Sequence, residues 1–266
     1  MSRITAVFKG GHKALIAYIT VGYPDIDATP GIVEALAESG CDIIELGIPF
    51  SDPLADGATI QKSSHQALQQ GTTPTTCLEA AARISKKVSV PLVFMTYYNP
   101  VLNYGLEKFC QSCTKAGIHG LIVPDLPPEE GGELETVTRQ NDLDLIYLLA
   151  PTSTEARIDM AAARSRGFLY LVSLTGVTGA RDTLPAELES FVSRVKQKAK
   201  QPLCVGFGVG TAEQAKRVAN IADGVIVGSR LIQLIEEDPS LASLRLFVAT
   251  LREAIDTQEI RHQEVK

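Results

Sequence analysis

Apolar residues gather along the chain in eight short runs, at residues 14–20, 43–46, 92–96, 120–123, 145–148, 169–172, 203–206 and 223–227. The runs are rich in Ile, Val and Leu and mostly lack alternation, as strands buried on both faces do. Between them, apolar residues recur at the spacing of one helix face. Ile32, Val33, Leu36 and Ala37 form one such face; Ile60, Ala67 and Leu68 form the next; Leu78, Ala81, Ala82 and Ile84 form a third. Further helices are expected around residues 109–116, 134–137, 158–162, 188–195, 215–218 and 241–255. Strands alternating with helices predict a parallel sheet. Dividing 266 residues by eight gives roughly 33 per unit, which suits a (β/α)8 TIM barrel with extra helices. An open doubly wound sheet is the alternative, and no Gly-x-Gly-x-x-Gly follows the first run to support it. No Pro/Ser-rich linker or charge run divides the chain, so residues 1–266 are expected to form one barrel domain.

Composition narrows the class. An apolar fraction of 45% is that of an ordinary globular domain and excludes disordered, collagen-like and disulfide-framework chains. The net charge of −6 speaks against nucleic acid as a partner. It leaves room for a small phosphorylated ligand held by backbone N–H groups. The cysteines Cys41, Cys77, Cys110, Cys113 and Cys204 are odd in number and scattered, which argues for a reducing compartment. Cys110 and Cys113 form a CxxC inside a helical pattern with no second pair, so helix packing is the preferred reading. His12, His65, His119 and His262 form no ligand spacing, and no metal is expected. Residues 1–13 contain no signal-peptide core, and no run approaches membrane-spanning length. A soluble protein of the cytoplasm, or a mature plastid form, is the expectation.

The segments after the strands carry the unusual residues, and in a barrel these segments share the face where active sites sit. The densest stretch is Glu45-Leu46-Gly47-Ile48-Pro49-Phe50-Ser51-Asp52-Pro53-Leu54-Ala55-Asp56-Gly57. Glu45 stands at a strand end among apolar neighbours, where a carboxylate is costly unless paired or used. Desolvation would raise its pKa and suit it to proton transfer; pairing to a Lys or Arg is the structural alternative. Asp56 has an alternative role as cap of the helix starting near Ala58, and Asp52 as a turn residue. Gly206-Phe207-Gly208-Val209-Gly210-Thr211 and Asp223-Gly224-Val225-Ile226-Val227-Gly228-Ser229 each follow a strand and open a helix. At strands seven and eight of a barrel, such loops are the usual phosphate site. The long polar segment 173–185 reads as a lid or a connector. Tyr170 just before it reads as core packing with a satisfied hydroxyl.

The stretch from Glu45 to Gly57 resembles the signature of tryptophan synthase α subunits. Pro124-Asp125-Leu126-Pro127, Gly176-Val177-Thr178-Gly179, Gly206-Phe207-Gly208 and Val227-Gly228-Ser229 follow in that family's order and spacing, so the resemblance runs from Ala14 to the tail helix. It implies a (β/α)8 barrel that cleaves indole-3-glycerol phosphate to indole and glyceraldehyde 3-phosphate by a retro-aldol reaction. It further implies that Glu45 transfers the proton, that Asp56 accepts from the indole N–H, and that Tyr170 stands near Glu45. Gly179, Gly206, Phe207, Gly208, Gly228 and Ser229 match phosphate-binding positions. Tyr18, Tyr97 and Phe207 match positions lining the indole pocket, and Thr178 the lid threonine.

The resemblance also implies a partner, a β subunit that joins indole to serine with pyridoxal phosphate in an α2β2 assembly; this chain itself would carry no cofactor. Pro49, Asp52, Asn99 and Pro100 match loop positions facing that subunit, with turn chemistry as their alternative role. No Lys stands at a strand end in these loops, which disfavours a Schiff-base aldolase. Two other functions are compatible with the same residues: a stand-alone lyase releasing free indole, and a mainly regulatory partner of a β subunit.

Overall fold

The computed structural model describes residues 1–172, 186–206 and 208–257. Among these, nine parallel strands form one sheet. They are β1 (Ala14–Thr20), β2 (Ile43–Gly47), β3 (Leu92–Met95), β4 (Ile118–Ile122), β5 (Asp144–Ile146), β6 (Leu148–Leu149), β7 (Leu169–Val172), β8 (Leu203–Gly206) and β9 (Gly224–Val227). The order β5-β4-β3-β2-β1-β9-β8-β7-β6 starts and ends on two strands that follow each other in the chain. Only Tyr147 separates them, and its carbonyl accepts from the Tyr170 N–H at 3.1 Å. The fold is therefore the expected (β/α)8 TIM barrel, with its fifth strand split in two.

Strands 14–20, 169–172 and 203–206 fall as expected, and the others shift by a residue or two. Asp223 lies outside β9 because its polar groups serve neighbouring strands: its carbonyl accepts from Ala14 N–H, and its carboxylate from Leu203 N–H. Expected helices appear as α2 (Ala28–Glu38), α3 (Ala58–Gln69), α4 (Pro74–Ile84), α6 (Leu106–Lys115), α7 (Gly132–Gln140), α8 (Glu155–Arg164), α9 (Ala186–Lys196), α10 (Ala212–Ile221) and α12 (Ala242–Asp256). Two helices were not anticipated, α1 (Arg3–Val7) and α5 (Tyr98–Tyr104), while the helix expected to open at Gly228-Ser229 is α11 (Ser229–Glu237). The reading of residues 97–100 as loop is corrected here. Asn99 and Pro100 lie in the first turn of α5, where proline costs no intrahelical bond.

Strand pleating sorts the core into two shells. Ile16, Ile43, Val93, Ile146 and Ile226 pack inside the barrel, while Leu15, Ile19, Ile44 and Leu46 face the helices. Ile4 of α1 joins the inner set, so this short helix closes the floor of the barrel. Cys110 and Cys113 are buried free thiols on α6, as helix packing requires.

Candidate active site

The same alternation that fills the barrel with aliphatic residues turns Glu45 inward near the end of β2. Its register partners are Tyr18 on β1 and Val93 on β3. The carboxyl group is wholly buried, and among the described residues neither oxygen finds a hydrogen-bond partner. Burial alone pushes its pKa up to about 8. The Lys or Arg that a structural role demanded is absent among the described residues. Glu45 therefore holds its proton at neutral pH, as a general acid must.

Asp56 is not the cap of α3. The helix opens on Gly57, without a side-chain cap bond, so the Asp56 carboxyl is not spent on capping. Burial pushes its pKa up to about 6, against the hydrogen bond from the Tyr97 hydroxyl that lowers it. Tyr97 Oη also accepts from Ala55 N–H at 2.9 Å, so one phenol clasps this loop from the side. Tyr97 stacks on Phe50 with centroids 5.1 Å apart. The two carboxyl groups thus differ in kind: one is kept acidic in a dry interior, and the other ionises near neutrality at the mouth.

A cavity of about 710 Å³ opens beside Asp56. Asp56, Ala55, Ile60, Met95, Pro124 and Tyr170 are among its lining residues, as are Arg157, Ser153 and Thr154. Tyr170, about nine-tenths buried, lines this cavity and stands within electrostatic reach of Glu45. Tyr18 sits deeper, against Gly47 and Gly228. Burial and the nearby Asp56 charge raise its pKa.

Tyrosines occupy the space that three glycines leave open. A side chain on Gly47 would overlap the Tyr18 hydroxyl, and one on Gly131 would overlap that of Tyr147. A side-chain carbon on Gly206 would lie 2.7 Å from the Tyr170 hydroxyl. Tyr147 completes its site with a 2.8 Å bond to Glu135.

The phosphate candidates gather at the ends of β8 and β9. Gly206 closes β8, Gly208 turns the chain with φ of 71°, and Gly228 and Ser229 open α11. The N-termini of α10 and α11 differ. At α10, Thr211 caps the Gln214 N–H and the Gln214 side chain accepts from Gly210 N–H. The start of α11 has no side-chain cap, so its N–H groups are the ones left for an anion. Phe207, Thr178 and Gly179, with the rest of the proposed lid, lie outside the described residues.

The interface candidates separate. Asp52 and Asn99 are exposed and Pro100 is half-exposed, whereas Pro49 is buried in this chain and offers a partner no surface. Leu54 was not singled out from sequence, yet it is 95% exposed beside Asp52. A leucine between Pro53 and Ala55 in a loop is the signal that marks it. Among the described residues, no group of three or more His, Cys, Asp or Glu side chains is placed to hold a metal ion. No described helix is long and apolar enough to cross a membrane.

Comparison with known proteins bears on the same architecture. Residues 5–261 match the family model described as tryptophan synthase alpha chain. The tryptophan synthase alpha chain of Dehalococcoides mccartyi is 59% identical over 96% of this chain and 100% of its own length. That of Geobacter sulfurreducens is 47% identical over 96% and 99%. Among solved structures, Mycobacterium tuberculosis tryptophan synthase superposes with a TM-score of 0.90 at 41% identity, covering 96% of this chain and 98% of that one. The alpha subunit from Legionella pneumophila gives 0.89 at 37% identity, covering 96% and 99%. With a matching barrel, near-complete coverage and these identities, the chain belongs to the tryptophan synthase alpha chain family.

Proposed function

We propose that this chain is a single-domain α subunit of tryptophan synthase that cleaves indole-3-glycerol phosphate to indole and glyceraldehyde 3-phosphate. The carrying observation is Glu45, a buried and unpaired carboxylic acid near Tyr170, which lines a cavity that also presents Asp56. Glu45 gives its proton to the indole ring carbon at the breaking bond. Asp56 accepts from the indole N–H and offsets the positive charge that develops on the ring. The carbon–carbon bond then breaks toward the ring, the neighbouring hydroxyl becomes the aldehyde, and its proton restores Glu45. Atoms balance with no added reagent. Gly206, Gly208, Gly228 and Ser229 hold the phosphate, with Phe207 and Gly179 completing the set, and binding energy there orients the reacting carbon. Tyr18 and Tyr97 bound the indole side, and Thr178 belongs to the lid over it.

The indole passes to a β subunit in an α2β2 assembly of the cytoplasm. That partner carries the pyridoxal phosphate, and this chain needs no cofactor. Asp52, Asn99 and Pro100 form the docking face, joined by Leu54.

The test is indole release from indole-3-glycerol phosphate by the purified chain, with and without an added β subunit, beside Glu45→Gln. Slow release that rises strongly with β and vanishes in the variant is the expected result. Fast release without β would indicate a stand-alone lyase. No release in either condition would leave a regulatory binding partner.

A further inference from the structure

The first turn of α3 follows directly on Asp56, and the helix opening lacks a side-chain cap. Something else must hold it. Thr20, the last residue of β1, and Ser63 on α3 are both buried, and their hydroxyl oxygens lie 2.6 Å apart. Ser63 Oγ donates to the Ile60 carbonyl at 2.9 Å. Its proton is therefore committed, and it must accept the proton of Thr20. Thr20 in turn stands beside the Tyr18 hydroxyl. The polarity is fixed from Thr20 to Ser63 to the Ile60 carbonyl. This row of hydroxyls ties the first turn of α3 to the end of β1. Ile60, at its far end, lines the same cavity wall as Ala55 and Asp56.

We propose that Thr20 and Ser63 are positioning residues for the reaction, a buried hydroxyl relay that fixes α3 and thereby sets how deeply the Asp56 carboxylate sits in the cavity. The inference rests on the reading of Asp56 as the group that meets the indole N–H. The groups facing Asp56 are Tyr97, which bonds it, and the phenols of Tyr18 and Tyr170, while Arg157 lines the same cavity. Loosening the relay lets the carboxylate move toward water, where it ionises at lower pH.

The experiment is the pH dependence of indole binding to the full chain. Indole has no group that titrates in this range, so the curve reports the protein. Ser63→Ala and the near-isosteric Thr20→Val each remove one hydroxyl at a different place; Thr20→Ser retains it. Both deletions should weaken indole binding by roughly tenfold at neutral pH and move the acid limb to lower pH. Thr20→Ser should behave as the parent. An acid limb that stays in place in both deletions overturns the relay, whatever happens to thermal stability, because general loosening changes the folded fraction and not that limb. Asp56→Asn separates the two claims. Loss of the limb in Asp56→Asn upholds the reading on which the relay rests, and its persistence overturns both.

Discussion

Two buried carboxyl groups stand at opposite ends of the barrel, and their surroundings differ. Asp144, the first residue of β5, lies at the floor under α1. Burial raises its pKa, and its oxygens, like those of Glu45, have no hydrogen-bond partner among the described residues, but the Arg166 guanidinium 3.4 Å away pulls it back. Glu45, near the opposite mouth, has burial and nothing to oppose it. Asp144 is given a counter-charge; Glu45, the proton donor proposed above, is denied one. The pair shows that burial alone does not mark a functional carboxyl, whereas burial without compensation does.

The strongest way to break the comparison is at the mouth. Glu45→Gln should lower indole release at least ~10²-fold, since it removes the proton donor while keeping the shape. Retained turnover would remove Glu45 from the mechanism. Stability gives the next effect. A carboxyl whose pKa is raised on folding stabilises the fold fully below its unfolded value and loses that contribution as pH rises through the folded value. Glu45 should therefore make the chain less stable between its ordinary value of 4.5 and about 8. The slope from one such proton is at most ~1.4 kcal/mol per pH unit. Denaturant melts across this range should be flatter for Glu45→Gln than for the parent; parallel curves would contradict the isolation of this group.

At the floor, Arg166→Ala should cost only ~1 kcal/mol near neutrality, because the guanidinium is partly exposed. The loss should shrink in acid as Asp144 gains its proton, and indole release should stay within about twofold. A large activity loss there would mean that the two ends are coupled. The smallest effect is expected at α10. Thr211→Ala should remove a helix cap worth ~0.5–1 kcal/mol, visible in denaturant melts and leaving indole release untouched.

Much of the barrel was legible in the sequence because parallel strands buried on both faces announce themselves as apolar runs. All eight runs became strand. The split at Tyr147 was not legible, since it depends on which neighbours share the ladder. Helix α1 is too short for a periodic signal. Helix α5 hid behind Tyr-Tyr-Asn-Pro, a loop-like string whose proline falls harmlessly in the first turn. The start of α11 was read from Gly228-Ser229, and its extent was also readable: Leu231, Ile232, Leu234 and Ile235 are all buried.

At the site, residue type and order brought out Glu45 and Asp56. What they could not show was partnership. Whether Glu45 meets a cation, whether Asp56 or Gly57 opens α3, and whether Pro49 faces water are questions of three-dimensional neighbours. The Thr20–Ser63 contact is of the same kind, since it joins residues 43 positions apart.

The three tyrosine–glycine fits have a consequence for how this barrel can vary. Each glycine is small because one particular phenol lies where its side chain would begin, so neither member is free to change alone. Enlarging Gly47 calls for a smaller residue at Tyr18, and the same bond of size links Gly206 to Tyr170 and Gly131 to Tyr147. Variant libraries that randomise these positions singly should return almost only the parent residues. Libraries that randomise each pair together should recover folded alternatives, with large and small exchanged.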